Sequence, residues 1–294
     1  MTSPVAGFRT SVREKSSGWT VKDIRKKMPE QYKALSGEYC LSAANASTTL
    51  TGSSKLPHQN AWTTTKFLFI APNDAKFTLT AAGKTNNYVV KGSPDVQCIL
   101  MPGNTTSATL KCATPGVIAL GMYLDSGQGI AVDNMSLRGN SGITHRFIST
   151  GLAADMRRFV DYDLIIVEYG INALTSQQKN YAGYKKLMHQ AIVPIKACYP
   201  NADILIMGIG DRGQKAGGTV KSIPTAQFMV DAQRDLARET GCLFWDTREA
   251  MGGEDAVVEW RNKGFINPDY IHLNAKGGAA LATLLTTAIR DAVK

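Results

Sequence analysis

Asp269 and His272 stand three residues apart in the segment Asp269-Tyr270-Ile271-His272, just ahead of an Ala- and Leu-rich run. At that spacing a carboxylate and an imidazole can face one cleft, the carboxylate fixing the imidazole tautomer and stabilising its charged form, which makes a general base. Gly170-Ile171-Asn172 follows the apolar run DLIIVEY. An asparagine amide there can donate to a developing oxyanion, and the adjacent glycine lets backbone and substrate approach closely. Asp211-Arg212-Gly213 follows a second apolar run, ADILIMGIG, where the aspartate reads as a turn or helix-start residue. Alone, D-x-x-H is more often a structural histidine and G-x-N more often a turn. Their weight comes from standing together at comparable places.

Those places are set by the elements around them. DLIIVEYG (163–170) and ADILIMGIG (202–210) are short continuous apolar runs, the pattern of central parallel strands covered on both faces. Between them Tyr181, Tyr184, Leu187, Met188, Ala191, Ile192 and Ile195 recur at helical spacing, ending near Cys198 before Pro200. Phe228, Met229, Ala232, Leu236 and Ala237 repeat that spacing, with Gly241 where a C-cap glycine belongs and CLFWD (242–246) as a third strand. The closing stretch, from Ala275, reads as a last helix. Strand and helix alternate, so the expected fold class is α/β, a three-layer α/β/α parallel sheet. Ligands of such sheets sit beyond the C-terminal strand ends, where these motifs fall. Residues from about 40 to 135 instead carry short β-type runs, such as KFLFI, KFTLTAA, NYVVKG and ATLKC, separated by turn signals, the pattern of a β-sandwich inserted in or preceding the α/β domain. The expected division is residues 1–38 as an N-terminal segment of the α/β domain, 39–135 as a β-sandwich, and 136–294 as the α/β domain.

At 294 residues and 44% apolar content, disorder, collagen and a minimal disulfide scaffold are excluded. No run approaches a membrane span, and the opening MTSPVAGFRTSVREK shows no apolar signal-peptide core. The net charge is +9, densest around Arg9, Arg13, Lys15, Lys22 and Arg25 to Lys27, which reads as a solvated face or arm; an anionic glycan is one partner it would suit, and no nucleic-acid partner is expected. The five cysteines form no CxxC pair, and His58, His145 and His189 show no ligand spacing, so neither a metal nor a cofactor is expected. Cys98 and Cys112 flank MPGNTTSAT as hairpin strands would, leaving a disulfide and two half-buried thiols both open. Trp245 and Trp260 read as packing residues, with a sugar platform as the alternative. Gly208-Ile209-Gly210 lacks the third glycine of a dinucleotide loop.

In this order and on these elements, the motifs resemble the SGNH (GDSL-type) hydrolase superfamily. Its second block is similar to Gly129 to Asn134 leading into Arg138-Gly139-Asn140-Ser141-Gly142, its third to Tyr169-Gly170-Ile171-Asn172, and its last to Asp269 through His272. Phe244-Trp245-Asp246, Met251-Gly252-Gly253 and Trp260, with the opening Arg9-Thr10-Ser11 to Gly18-Trp19, resemble a bacterial branch with an inserted β-sandwich, as in peptidoglycan O-acetylesterases. The resemblance implies serine-type acyl transfer on an acetylated cell-wall or plant glycan, in a periplasmic or secreted setting. Asp269 and His272 would be catalytic, and Gly139 N–H with the Asn172 amide would hold the oxyanion. One block is missing: no Gly-Asp-Ser precedes residue 20. Leu124-Asp125-Ser126-Gly127 is the only look-alike, out of order, so Ser126 and Ser141 are weak nucleophile candidates and Ser136 a weaker one. Three explanations stand: a chain lacking the first strand and helix of a longer protein, a non-catalytic glycan-binding relative, or a serine from an unexpected position. Esterase and O-acetyltransferase need the same triad and are not separated by sequence.

Overall fold

Thr, Ser and β-branched residues make the first part of the chain extended. The computed structural model describes residues 11–55 and 59–294, in two units: residues up to Arg138 with Phe147–Asp161, and Gly139–Arg146 with Tyr162–Lys294.

The first unit holds β1 (Val12–Asp23), β2 (Glu38–Gly52), β3 (Trp62–Ala71), β4 (Ala75–Ala81), β5 (Lys84–Val90), β6 (Ser93–Thr105), β7 (Ser107–Cys112) and β8 (Ile118–Asp125). They form one antiparallel sheet in the order β5-β4-β7-β2-β8-β3-β6, with β1 added on β2. Alternation sets the faces: on β4, Ala75, Phe77, Leu79 and Ala81 are buried while Lys76 and Thr80 are exposed. The rings of Phe69 and Phe77 lie 4.7 Å apart, although β3 and β4 are not hydrogen-bonded neighbours. The two wings of this continuous sheet therefore share one core, which also contains Phe67, Leu79, Ile99 and Leu110. Burying a side chain such as Phe77 contributes about 1.5–3 kcal/mol. β2 serves both wings, pairing with β8 at Cys40–Leu41 and with β7 at Ala46–Thr51. The strands thus form one hydrogen-bonded sheet whose two wings pack on a shared core.

Two expectations change here, and of the two alternatives open for Cys98 and Cys112 one is found. Residues 11–38 do not open the α/β domain: β1 runs antiparallel along β2 from Val12↔Gly52 to Asp23↔Glu38. Its register shifts around Gly18, where φ is +73° and a Cβ would come within 2.8 Å of Ala46 Cα, so only glycine fits. Helix α1 (Thr150–Arg157), N-capped by Ser149, packs Leu152 and Met156 on Leu68, Ile70, Val96 and Ile118 and so belongs to this unit rather than to the segment 136–294. Cys98 lies on β6, paired with β3, and Cys112 on β7, paired with β2 and β4; the strands are consecutive but are not partners, and both thiols are free.

In the second unit, β9 (Leu164–Glu168), β10 (Asp203–Met207) and β13 (Leu243–Trp245) form a parallel sheet in the order β13-β10-β9. Helices α2 (Ala182–Cys198) and α3 (Ala226–Thr240) connect them, α3 ending on Gly241 in the left-handed conformation as expected. β10 is central and buried from Ile204 to Met207. β9, also expected to be central, is an edge: among the described residues no strand pairs with its far side, and Leu164 and Ile166 remain 37% and 44% exposed. A small hairpin, β11 (Gly213–Ala216) with β12 (Thr219–Ser222), follows β10. The chain closes through α4 (Thr247–Met251), α5 (Ala256–Asn262) and α6 (Ala275–Ala292), which share an apolar cluster with Met207, Trp260 and Leu281. No helix among the described residues is long and apolar enough to cross a membrane.

Candidate active site

The Asp269–His272 turn precedes α6, which Asn274 caps by accepting from the N–H groups of Lys276 and Gly277. His272 Nδ1 lies 2.7 Å from Asp269 Oδ2, and Asp269 Oδ1 accepts from the N–H groups of Ile271 (2.9 Å) and His272 (3.0 Å). The turn is clasped by Asn267 N–H donating to His272 O, and Tyr270 is held at φ +58°, a conformation a bulky side chain rarely adopts. Burial pushes the Asp269 carboxyl up, but the His272 side-chain hydrogen bond, then the backbone N–H bonds, outweigh it and bring the pKa down to about 2. An ionised Asp269 only accepts, so Nδ1 carries the hydrogen and Nε2 is the free basic nitrogen. Both side chains are open to solvent, His272 at 65% and Asp269 at 44%.

Asn172 lies in the turn after β9. Its Nδ2 donates to Asn140 O at 2.9 Å, which fixes the amide and leaves its second hydrogen for another acceptor. Asn140 is buried and held in turn: its Oδ1 accepts from Gly142 N–H at 2.8 Å and its Nδ2 donates to Thr144 Oγ1 at 2.6 Å. Gly139, just before it, has φ +67°. The structure therefore brings Gly139, Asn140 and Asn172 together as one cluster. Gly170, at φ +117°, admits no side chain, because a Cβ would fall 2.8 Å from Gln233 Nε2 and 2.9 Å from Ile209 Cγ2.

The segment after β10 joins this cluster to the Asp269–His272 turn. Arg212 Nη1 donates to Ile171 O at 3.2 Å, beside Asn172, and Gly213 N–H donates to Tyr270 O at 2.9 Å, between Asp269 and His272. Asp211 is a buried anchor beneath that segment: it accepts from Ser222 Oγ at 2.7 and 2.6 Å, Val257 N–H at 3.0 Å and Arg248 Nε at 3.2 Å. Its turn role agrees with the sequence reading, but the extent of its network was not legible. Gln233, also missed, sits buried on α3 and bridges the strand ends, donating to Tyr169 O at 2.8 Å and accepting from Ile209 N–H at 2.9 Å. A glutamine on the apolar face of a predicted helix is the one signal that marked it.

The serines fare differently. Ser126 lies in the first unit, in a turn where Gly127 N–H donates to Asp125 Oδ1, as a plain turn would have it. Ser136 also lies in that unit and Ser141 in the second, where Ser141 O accepts from Tyr184 OH at 3.1 Å. Among the described residues no serine hydroxyl is hydrogen-bonded to His272. Trp260 is buried, donates to Met251 O and stacks edge-on against Phe265, a packing role. His145 is buried with its ring 5.3 Å from that of Tyr169. His58, Arg9 and Thr10 lie outside the described residues.

Glu168, the last residue of β9, is exposed to solvent, yet enough protein surrounds it to hold its carboxyl above the usual range by desolvation.

Among solved structures, one of a peptidoglycan O-acetylesterase is similar over 97% of this chain and 78% of its own, with a TM-score of 0.73 at 22% identity, which shows a shared fold. An acetyl xylan esterase matches over 52% of this chain and 78% of its own (TM-score 0.37, 17% identity), and a family two carbohydrate esterase from Clostridium thermocellum over 96% and 98% (TM-score 0.34, 11% identity). No curated protein matches this chain. The model of the GDSL-like lipase/acylhydrolase family matches residues 105–280, more than half of the sequence and the whole span from the Gly139 cluster to His272, so the chain belongs to that family.

Proposed function

We propose that the second unit carries the base and the oxyanion-facing amide of a serine-type carbohydrate O-acetylesterase, in the branch of the family with an inserted β-sandwich. The observation that carries this reading is the 2.7 Å His272–Asp269 contact, which leaves Nε2 free for a proton. In the reaction, a serine oxygen attacks the acetyl carbonyl while its proton passes to His272 Nε2. The oxyanion is met by the Asn172 amide and Gly139 N–H, each donor lowering the barrier by roughly 3 kcal/mol. Collapse breaks the ester bond, the leaving sugar oxygen takes the proton from His272, and water then releases acetate from the acyl-serine. An acetylated cell-wall or plant glycan is the substrate class, in a periplasmic or secreted setting. The fold shared with a peptidoglycan O-acetylesterase supports that choice.

The serine is the part that no described residue brings to the imidazole. The edge of β9 that is unpaired among the described residues is where a further parallel strand would add to this sheet, and the C-terminal end of such a strand would arrive beside the Asn172 turn. The same observation favours a second reading, glycan binding without turnover. Acetate release from an aryl acetate, acetylated peptidoglycan and acetylated xylan, compared between this chain and His272→Ala, separates the two. Activity lost in the variant supports the esterase, and saturable glycan binding with no acetate from either chain supports the binder. A sugar alcohol that accepts the acetyl group in place of water would mark a transferase.

A further inference from the structure

The outer face of the wing formed by β1, β2, β7, β4 and β5 is a grid of hydroxyls and cations. The register places Lys15, Thr49, Thr109, Thr80 and Thr85 in one row across five strands. The next row is Ser17, Ser47, Lys111, Thr78 and Asn87. Arg13 and Lys76 flank the rows, two residues along their own strands. The orientation of this face is fixed by the other one, since the alternate positions Ala46, Leu50, Phe77, Leu79 and Leu110 are buried in the core.

Three properties distinguish this face from an ordinary solvated sheet. First, neither row holds a carboxylate, and Glu14, the nearest one in β1, stands opposite Leu50 at a position of the other parity. Second, Arg13, Lys15, Lys76 and Lys111 are exposed, and among the described residues none of them forms an ion pair. Third, the hydroxyls are tied sideways into ladders: Thr49 to Thr109 at 2.9 Å, Thr80 to Thr85 at 3.0 Å, and Thr78 Oγ1 to Asn87 Oδ1 at 2.9 Å. Threonine is stiff at χ1, so these side chains offer donors and acceptors at fixed positions without losing much rotamer freedom on binding. Strands about 4.8 Å apart and alternate residues about 6.8 Å apart give the grid its spacing, over which the four cations are spread.

From these observations we propose that this face binds an extended acidic polysaccharide, laid flat across the strands, its carboxylates meeting the cations and its hydroxyls meeting the threonine ladders. The charge complementarity selects an anionic partner. The chemistry of the face argues against nucleic acid: the rows contain no aromatic side chain for base stacking, and short Thr and Ser side chains on a flat sheet cannot reach base edges in a groove. The inference concerns the first unit alone and does not rest on the acyl-transfer reading of the second.

Titration of the full chain with polygalacturonate, neutral dextran and single-stranded DNA, at low and high salt, tests it. Saturable binding of polygalacturonate, weakened by salt and exceeding that of both other polymers, is expected. Lys15→Glu with Lys111→Glu should weaken it at least roughly tenfold at an unchanged Tm, and Lys15→Arg with Lys111→Arg should retain it. Thr49→Val with Thr109→Val keeps shape and charge while removing hydroxyls, and a several-fold loss is expected there. Equal or tighter binding of DNA, binding of dextran to the same extent, indifference to charge reversal, or indifference to the valine pair would each overturn the proposal.

Discussion

The side chain of Asn172 is held by the backbone of Asn140, Nδ2 to O at 2.9 Å, so the turn after β9 and the Gly139–Gly142 segment act as one unit. An amide restrained in this way has its second N–H aimed before any ligand arrives, and that preorganisation is what makes an oxyanion donor effective.

Replacing Asn172 by Ala should therefore lower kcat for aryl acetate hydrolysis by about 10²–10³-fold, with KM little changed, in any form of the protein that turns over. Steady-state kinetics checks this. A change confined to KM would assign Asn172 to ground-state binding.

Asp269 governs a pH effect whose sign follows from its pKa. The folded value of about 2 lies below the ordinary carboxylate value near 3.9. The group therefore stabilises the fold at pH above the unfolded value, and this contribution is lost as pH falls through the folded one. Asp269→Asn should lose Tm relative to the parent at neutral pH, and the gap should close on acidification toward pH ~2. Thermal melts across the acid range measure this.

Glu168 runs the other way. Its folded pKa is raised by desolvation, so its charge works against the fold as pH rises from the unfolded value through the folded one. The Tm of Glu168→Gln relative to the parent should increase with pH through that window. Equal Tm differences at both ends would mean the carboxylate is fully hydrated.

Gln233→Leu keeps the volume of the side chain but takes away the acceptor of Ile209 N–H and one donor to Tyr169 O. A buried group left without its partner costs about 1–3 kcal/mol, which urea denaturation will read directly.

Asp211→Ala removes the acceptor for Ser222, Val257 and Arg248, the last being only 12% exposed. Loss of one partner from so buried a pair should destabilise by about 3–5 kcal/mol, again by urea denaturation.

Local signals were read well because their causes are local. The apolar spacing from Tyr181 to Ile195 and the glycine at 241 mark α2 and the end of α3, and three residues of spacing suffice to bring Asp269 and His272 into contact. Pairings across the chain were not read. Nothing in Val12–Asp23 announces β2 as its partner, Cys98 and Cys112 diverge because each strand finds a different neighbour, and the reach of Asp211 and Gln233 depends on segments tens of residues away. The run from Leu164 to Glu168 has the composition of a strand covered on both sides, and it is its surroundings that leave it an edge.

That edge has a consequence for how the molecule behaves in concentrated solution. A five-residue strand whose far side is unpaired among the described residues, and which itself carries the exposed Leu164 and Ile166, is a template for whatever extended chain it meets, including another copy of itself. Colloidal behaviour should thus depend on a single short segment: a lysine in place of Ile166 would blunt the template and keep preparations monodisperse at concentrations where the parent chain associates.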